Sequence, residues 1–400
     1  MSGINPTVSK KSHAVAASRL PDGALLVGHF YGVFGLGSLI RSAVPAFEAA
    51  GIPFHLQNAW GNLDYYNSDL FEKFPYFDRM TVNSPHKANI FFMNANEMKS
   101  AFNYLGSKFF KGKYNIGYWA WELPDFPNEW LPAFQYVDEI WAMSLFVRES
   151  IAKKANCPVI HMPLSIQMEN QQKFHRRYFG LPTGSFIFLY FFDFKSYIAR
   201  KNPQAVISAF RMAFPDNDNH VRLVIKITGT DEHYEEYSDF IENAIGDDPR
   251  IITIATPFKD IEMNGLIDVC DCFISLHRSE GYGQGIAEAM LHGKPVITTA
   301  YSGNMDFTTE DNSCLVNYKL IPVKEGEYPY GKGQIWADPD LDQAAWYMKK
   351  LISDPALCRI LGQRAESFIR ENLNPAVIGN RYRRRLEVLG LIKKSIGPQV

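Results

Sequence analysis

Short apolar runs recur along this chain with helix-patterned segments between them, and the alternation stops once and then begins again. The first series has GALLVGHF at 23–30, IPFHLQ from residue 52, ANIFFMNA at 88–95, YNIGYWAW at 114–121, EIWAMS at 139–144 and VIHMPL at 159–164. These runs are apolar throughout rather than alternating, which is the pattern of strands buried on both faces of a parallel sheet, with helices as the crossovers. Around 165–183 the chain turns polar and ends in Gly and Pro, the composition of a linker. A second series follows: SFIFLYFFD, VRLVIKITG, RIITIAT, DCFISLH and KPVITTA, again separated by helical segments. The pattern therefore predicts an α/β protein with two Rossmann-like, doubly wound domains facing a central cleft, over residues 1–168 and 169–375.

The bulk properties agree with that architecture and narrow the partners. At 400 residues, with 46% hydrophobic and 14% aromatic side chains, the chain can bury two cores. Lys and Arg total 41 against 43 Asp and Glu, so no global field attracts nucleic acid, and an anionic ligand must be met by a local cluster. Five cysteines without a CxxC pair imply no disulfide framework and fit a reducing cytosol. The first twenty residues lack the apolar core of a signal peptide. The longest apolar run, FIFLYFF at 186–192, is far short of the roughly 18 residues of a membrane span. The expected location is cytoplasmic.

One stretch concentrates the chemistry. In SEGYGQGIAEAM, residues 279–290, a strand ends near His277, a glycine loop follows and a helix opens near Gly285. Backbone N–H groups at a helix start are unpaired and carry partial positive charge, so Gly281, Tyr282, Gly283, Gln284 and Gly285 form a phosphate cradle. Glu280 borders the cleft at the loop's start. Glu288, a turn inside the helix, suits a vicinal diol such as ribose; taken alone it reads equally well as a solvated helix position.

This stretch, followed by GKPVI, resembles the E-x7-E signature of retaining GT-B glycosyltransferases of the glycosyltransferase 4 type. The resemblance implies that Glu280 contacts the donor sugar, Glu288 the ribose, and the amides from Gly283 to Gly285 the diphosphate. It also implies a basic pair after the first strand of the second domain, here Arg200 and Lys201 in YIARKNP. A preorganised Arg and Lys would stabilise the charge of a departing diphosphate. The opening GHFYGVFGLGSLIRS matches the family's N-terminal glycine loop, with Gly35 and Gly37 facing the donor. A dinucleotide site is disfavoured because GVFGLG lacks GxGxxG spacing and no acidic residue follows about 20 positions on.

Many relatives place a histidine in the first domain's side of the cleft, yet none occurs here between His86 and His161. Trp119, Trp121 and Glu122 occupy that part of the chain and suit a sugar acceptor, with Glu122 available to assist deprotonation. His277 is a further donor-site candidate. No metal is expected: DPDLD at 338–342 reads as a helix cap rather than a metal-binding DxD. In this fold the last helix, 376–400, crosses back onto the first domain. Its Arg and Lys residues beside Leu386, Val388, Leu389, Leu391 and Ile392 also fit an anionic membrane surface, and the reading of a solvated basic face is the stronger one.

The resemblance to polysaccharide mannosyltransferases, through RKNP and YWAWELP, implies a metal-independent hexosyltransferase of cell-surface polysaccharide synthesis. GDP-mannose is the expected donor, a UDP-hexose the second, and a glycan or lipid-linked sugar the acceptor. A nucleotide-sugar epimerase and a non-catalytic nucleotide-sugar binding protein are the rivals. No cofactor beyond the donor substrate is expected.

Overall fold

A computed structural model describes residues 20–394 except 33–34, 60–75, 169–171, 216–219 and 231–232. The N-terminal residues read above for a leader, part of the first glycine loop, the nominal start of the second domain and the last six residues thus lie outside the described residues.

Among the described residues, fourteen strands run in chain order: β1 (Ala24–Gly28), β2 (Phe54–Asn58), β3 (Ala88–Phe92), β4 (Tyr114–Trp119), β5 (Glu139–Ala142), β6 (Val159–His161), β7 (Phe186–Asp193), β8 (Val221–Thr228), β9 (Ile251–Ile254), β10 (Cys272–Ser275), β11 (Val296–Thr299), β12 (Cys314–Val316), β13 (Tyr318–Pro322) and β14 (Ile335–Pro339). The first six form one parallel sheet in the order β2-β1-β3-β4-β5-β6, and the next six a second in the order β12-β11-β10-β7-β8-β9. All pairings within these two sheets are parallel. Their continuous apolar runs follow from that: β1 and β3 are buried at every position, covered by helices on both faces.

In an open sheet of this kind, ligands bind where the strand order reverses. In the first sheet the chain moves from β1 out to β2 and returns to β3 on the other side. In the second it moves from β7 through β8 and β9, then returns to β10 on the other flank of β7. The loops after β1 and β3, and after β7 and β10, are therefore the neighbours that bound the cleft.

The helix Gly35–Ala49 packs against the last described helix, Pro375–Val388. Gly379 allows the approach, because a Cβ there would stand 2.0 Å from the Ala46 carbonyl. Tyr382 stacks on Trp141, and Arg385 pairs with Glu139, a carboxylate with no solvent exposure that also accepts from Trp141 Nε1 at 2.8 Å. Arg383 donates to the Ala50 and Gly51 carbonyls. Leu386, Leu391 and Ile392 are thus core residues of the first domain, whereas Leu389 is half-buried and Val388 is 72% exposed. Among the described residues no helix is long and apolar enough to cross one.

The antiparallel hairpin β13–β14 was not anticipated, since the sequence there reads as a loop. It leaves the second domain after β12 and reaches the first, where the Gln334 amide exchanges hydrogen bonds of 2.9 and 2.7 Å with the Asp125 backbone. Asp340 caps the following helix by accepting from Gln343 N–H, as the DPDLD reading expected.

Candidate active site

The reversal between β7 and β10 brings together residues 80 positions apart. After β7, a single helical turn, Ile198–Lys201, presents Arg200 and Lys201. After β10, the loop presents Glu280. Arg200 Nη1 donates to Glu280 Oε2 at 3.1 Å and Lys201 Nζ to Oε1 at 2.5 Å, with all three side chains largely buried. Burial alone would raise the Glu280 pKa, but Lys201 and then Arg200 outweigh it and hold the carboxyl at about 2. Burial pushes Lys201 down despite Glu280. Desolvation works against the Arg200 charge, yet Glu280 and Glu122 raise its pKa above the ordinary value. The three largely buried side chains together carry one net positive charge at the cavity wall, a counter-charge suited to an anion such as a diphosphate.

The backbone around the cluster is held in unusual conformations. Four non-glycine residues have positive φ among the described residues: Tyr197 (64°), Asn202 (57°), Ser302 (74°) and Tyr330 (54°). Tyr197 and Asn202 bracket the turn that bears Arg200 and Lys201. Asn202 Nδ2 ties that turn to the Leu276 carbonyl at 3.0 Å, and Ser302 Oγ accepts from Glu280 N–H at 2.8 Å. Such conformations cost about 1–3 kcal/mol each and persist only where surrounding contacts over-determine them. Glycine is required at Gly303, where a Cβ would lie 2.2 Å from the Gly281 carbonyl.

Beside Glu280, residues Gly281 to Gly285 all line a cavity of about 820 Å³ between the domains. Gly283, at φ 90°, opens the helix Gln284–Leu291 with no side-chain cap; its carbonyl accepts from Ile286 and Ala287 N–H at 3.0 and 3.2 Å, which leaves the N–H groups of Gln284 and Gly285, both cavity-lining residues, for a ligand. Gln284 Nε2 crosses the cleft to Ser38 Oγ at 2.6 Å and also donates to Glu288 Oε1 at 2.8 Å. Glu288 therefore stands one turn behind the cavity lining, held by Gln284. Burial raises its pKa to about 7, offset in part by the Gln284 hydrogen bond.

Three more of the candidate site residues lie off the cavity lining. Trp119 does not face the cleft: its ring folds back over Gly117 and stacks parallel to Phe126 with centroids 6.0 Å apart, fully buried. His277 is likewise enclosed, with Nδ1 3.1 Å from Ser275 Oγ and Nε2 3.1 Å from Asn304 Oδ1; burial lowers its pKa, and it braces the loop from behind. Gly37 is a packing residue, because a Cβ there would lie 2.0 Å from the Gly32 carbonyl, whereas Gly35 does line the cavity. Of the other aromatic-segment residues, Trp121 and Glu122 reach the cavity wall, although Trp121 exposes only an edge and donates Nε1 to Asp125 O at 2.9 Å.

What sequence reading missed is the hairpin's contribution. Tyr328 donates to Glu122 Oε2 at 2.6 Å, lies edge-on to Tyr197 at 4.9 Å, and has the Arg200 guanidinium 5.8 Å from its ring. Tyr330 packs against Trp130 and Trp121 at 5.8 and 6.4 Å. The only available signal was YPYG inside a stretch of turn residues. Ser144 Oγ donates to the Gly281 carbonyl at 2.6 Å, so the first domain also braces the glycine loop directly.

Two parallel six-stranded sheets facing a cleft, with an acidic and basic cluster at the second switch point, define the GT-B fold. Solved structures agree. Anabaena HepE in complex with UDP-glucose superposes with a TM-score of 0.65 at 13% identity, covering 92% of this chain and 100% of that one. Sucrose-phosphate synthase from Thermosynechococcus elongatus gives 0.66 at 14% identity over 92% and 99%. Residues 171–368 match the family model described as glycosyl transferases group 1. The trehalose synthase of Rubrobacter xylanophilus is 26% identical over 196 residues, an alignment that takes in 48% of this chain and 42% of that relative's length. Together the solved structures show the GT-B fold, and the family match takes in just under half of the chain.

Proposed function

We propose that the protein is a retaining glycosyltransferase that moves a hexose from a nucleoside diphosphate sugar to a carbohydrate or lipid-linked acceptor without a metal ion. The observation that carries this reading is the buried Arg200–Glu280–Lys201 cluster beside an uncapped helix start in the interdomain cavity. A metal ion in such a reaction would neutralise the leaving diphosphate, and here Arg200, Lys201 and the loop amides are placed to do so. Glu280 holds the donor sugar's hydroxyls and keeps negative charge near the reacting carbon.

In the front-face reaction, the bond between the anomeric carbon and the diphosphate oxygen breaks with its electron pair going to the diphosphate. The acceptor oxygen bonds to that carbon on the same face, and its proton passes to the departing phosphate oxygen. Glu122, lining the cavity and accepting from Tyr328, orients the acceptor hydroxyl. Glu288 takes the ribose once Gln284 releases it. GDP-mannose and a UDP-hexose are the two donors to separate, the second favoured by the UDP-glucose bound in the HepE structure. Cell-surface polysaccharide synthesis remains the setting implied by the sequence resemblance.

The test is release of GDP or UDP from the corresponding sugar donor in a chelator-containing buffer, with and without a panel of glycan acceptors, followed by proton NMR of the product's anomeric signal. Acceptor-dependent release with retained configuration is expected. Inverted configuration, a requirement for added divalent metal, or a donor converted without acceptor would each overturn the reading, the last in favour of an epimerase.

A further inference from the structure

Lys226 is a lysine in the middle of a parallel sheet, where strands otherwise carry apolar side chains. It lies on β8 between Ile225 and Ile227 and is 1% exposed, yet it lines the interdomain cavity. Its ammonium donates to the Ile227 carbonyl at 2.9 Å and sits 5.1 Å from the centre of the Phe258 ring. None of the described ion pairs includes it. An ammonium has three protons to donate, and burying one against a single carbonyl and a ring is unfavourable unless a further acceptor arrives. Burial lowers its pKa to about 8, against the opposing pull of Asp193, so it still carries its charge at neutral pH.

Position in the sheet says which part of a ligand Lys226 meets. The order β10-β7-β8 puts β8 two strands from the strand that feeds the phosphate-facing glycine loop. Strands lie about 4.8 Å apart, so the ends of β10 and β8 are separated by roughly 10 Å, the reach of a nucleoside. Contacts lead from the glycine loop toward Lys226: a Cβ on Gly285 would meet the Phe191 ring, Phe191 is the register partner of Lys226 across β7 and β8, and Glu288, behind the loop, feels the charge of Asp260. Asp260, Met263, Phe258, Thr228 and Lys226 line the same cavity.

Resting on the nucleotide-sugar reading above, we propose that Lys226 reads the exocyclic carbonyl of the donor's base, so that the site takes keto bases and discriminates against their amino counterparts. An ammonium donates to O6 of a 6-oxopurine or O4 of uracil. The exocyclic amine at the same position in adenine or cytosine is itself a donor, and its approach would leave a buried cation facing N–H groups.

Two ligand pairs change that group together with the protonation of the ring nitrogen beside it, and comparison with a variant assigns the effect to Lys226: inosine diphosphate against adenosine diphosphate, and uridine diphosphate against cytidine diphosphate. Dissociation constants for all four are measured by calorimetry on the wild type and on Lys226→Met, with unliganded melting temperature as the folding control. Within whichever pair binds more tightly, the wild type should favour the keto member by about ten- to hundredfold, the value of a hydrogen bond to a charged group. In Lys226→Met the ratio should fall below threefold through loss of keto affinity. A wild-type ratio near one overturns the proposal, and that arm stands even if the variant does not fold. An unchanged ratio in a folded Lys226→Met also overturns it, while nucleotide binding leaves the transferase reading intact. If none of the four binds the wild type, the nucleotide-sugar reading itself fails.

Discussion

The two walls of the cleft are built on the same plan and furnished differently. Both come from the loops at a strand-order reversal of a parallel six-stranded sheet. The second domain's wall is ionic, with Arg200, Lys201 and Glu280 interlocked and their backbone held by Asn202 and Ser302. The first domain's wall offers Gly35, Leu36, Leu39, Asn94, Asn96 and Trp121, with Glu122 as its acidic group, and the hairpin adds Tyr328 and Tyr330. The two sides thus present different groups, an ion-pair cluster on one and apolar, amide and carboxylate groups beside the hairpin's tyrosines on the other. Developing phosphate charge needs rigid counter-charge, whereas a sugar ring is recognised by apolar faces and a few hydrogen bonds. Residues on the ionic wall should affect stability and donor turnover together; those on the aromatic wall should affect the acceptor.

The largest effect falls on Glu280. Removing it leaves two buried cations without their shared partner, a change that costs about 3–5 kcal/mol. Urea denaturation of Glu280→Ala should show that loss, and transfer activity should fall more than about 100-fold. A fully stable but inactive variant would show the ionic wall to be less tightly coupled than its geometry implies. Next is Gly303→Ala, whose methyl would meet the Gly281 carbonyl and displace the glycine loop. A loss of about 2–3 kcal/mol is expected, with donor KM raised, because overpacking forces the backbone to move.

A pH effect follows from Glu288, whose folded pKa is raised to about 7 by burial. The folded state holds this proton more tightly than the unfolded chain. Its stabilising contribution is therefore complete below pH 4.5 and disappears as pH rises through 7. Against Glu288→Gln, the wild type should lose on the order of 1–2 kcal/mol between pH 5 and 8 in calorimetric melts, a figure reduced for partial solvent contact. The variant's profile should be flatter by that amount; parallel profiles would remove the titration from Glu288. The smallest change is Tyr328→Phe, which deletes the hydrogen bond to Glu122. Acceptor KM should rise a few-fold with donor KM unchanged and stability lowered by about 1 kcal/mol or less. A matching rise in donor KM would place the hairpin on the ionic wall and erase the contrast.

The sequence by itself determined the strands of both sheets except β12, the helices between them and the glycine loop that follows Glu280. Those are local properties: an unbroken apolar run, a helical period and a glycine turn are written within a dozen residues. The resemblance put Arg200, Lys201 and Glu280 at one site, but their ion pairing was not legible, since about 80 residues separate them and sheet order alone makes them neighbours. Tertiary structure decided the rest. Trp119 and Trp121, two positions apart and alike on paper, separate into a buried core ring and a cavity wall because Gly117 and Phe126 make a slot for the first. Leu386, Leu391 and Ile392 belong to the core because the final helix meets Gly35–Ala49 at a glycine contact, not because their pattern excluded a membrane. The hairpin's tyrosines and Lys226 were invisible for the same reason: a polar turn and a single charge within a strand acquire meaning only when two domains close around one cavity.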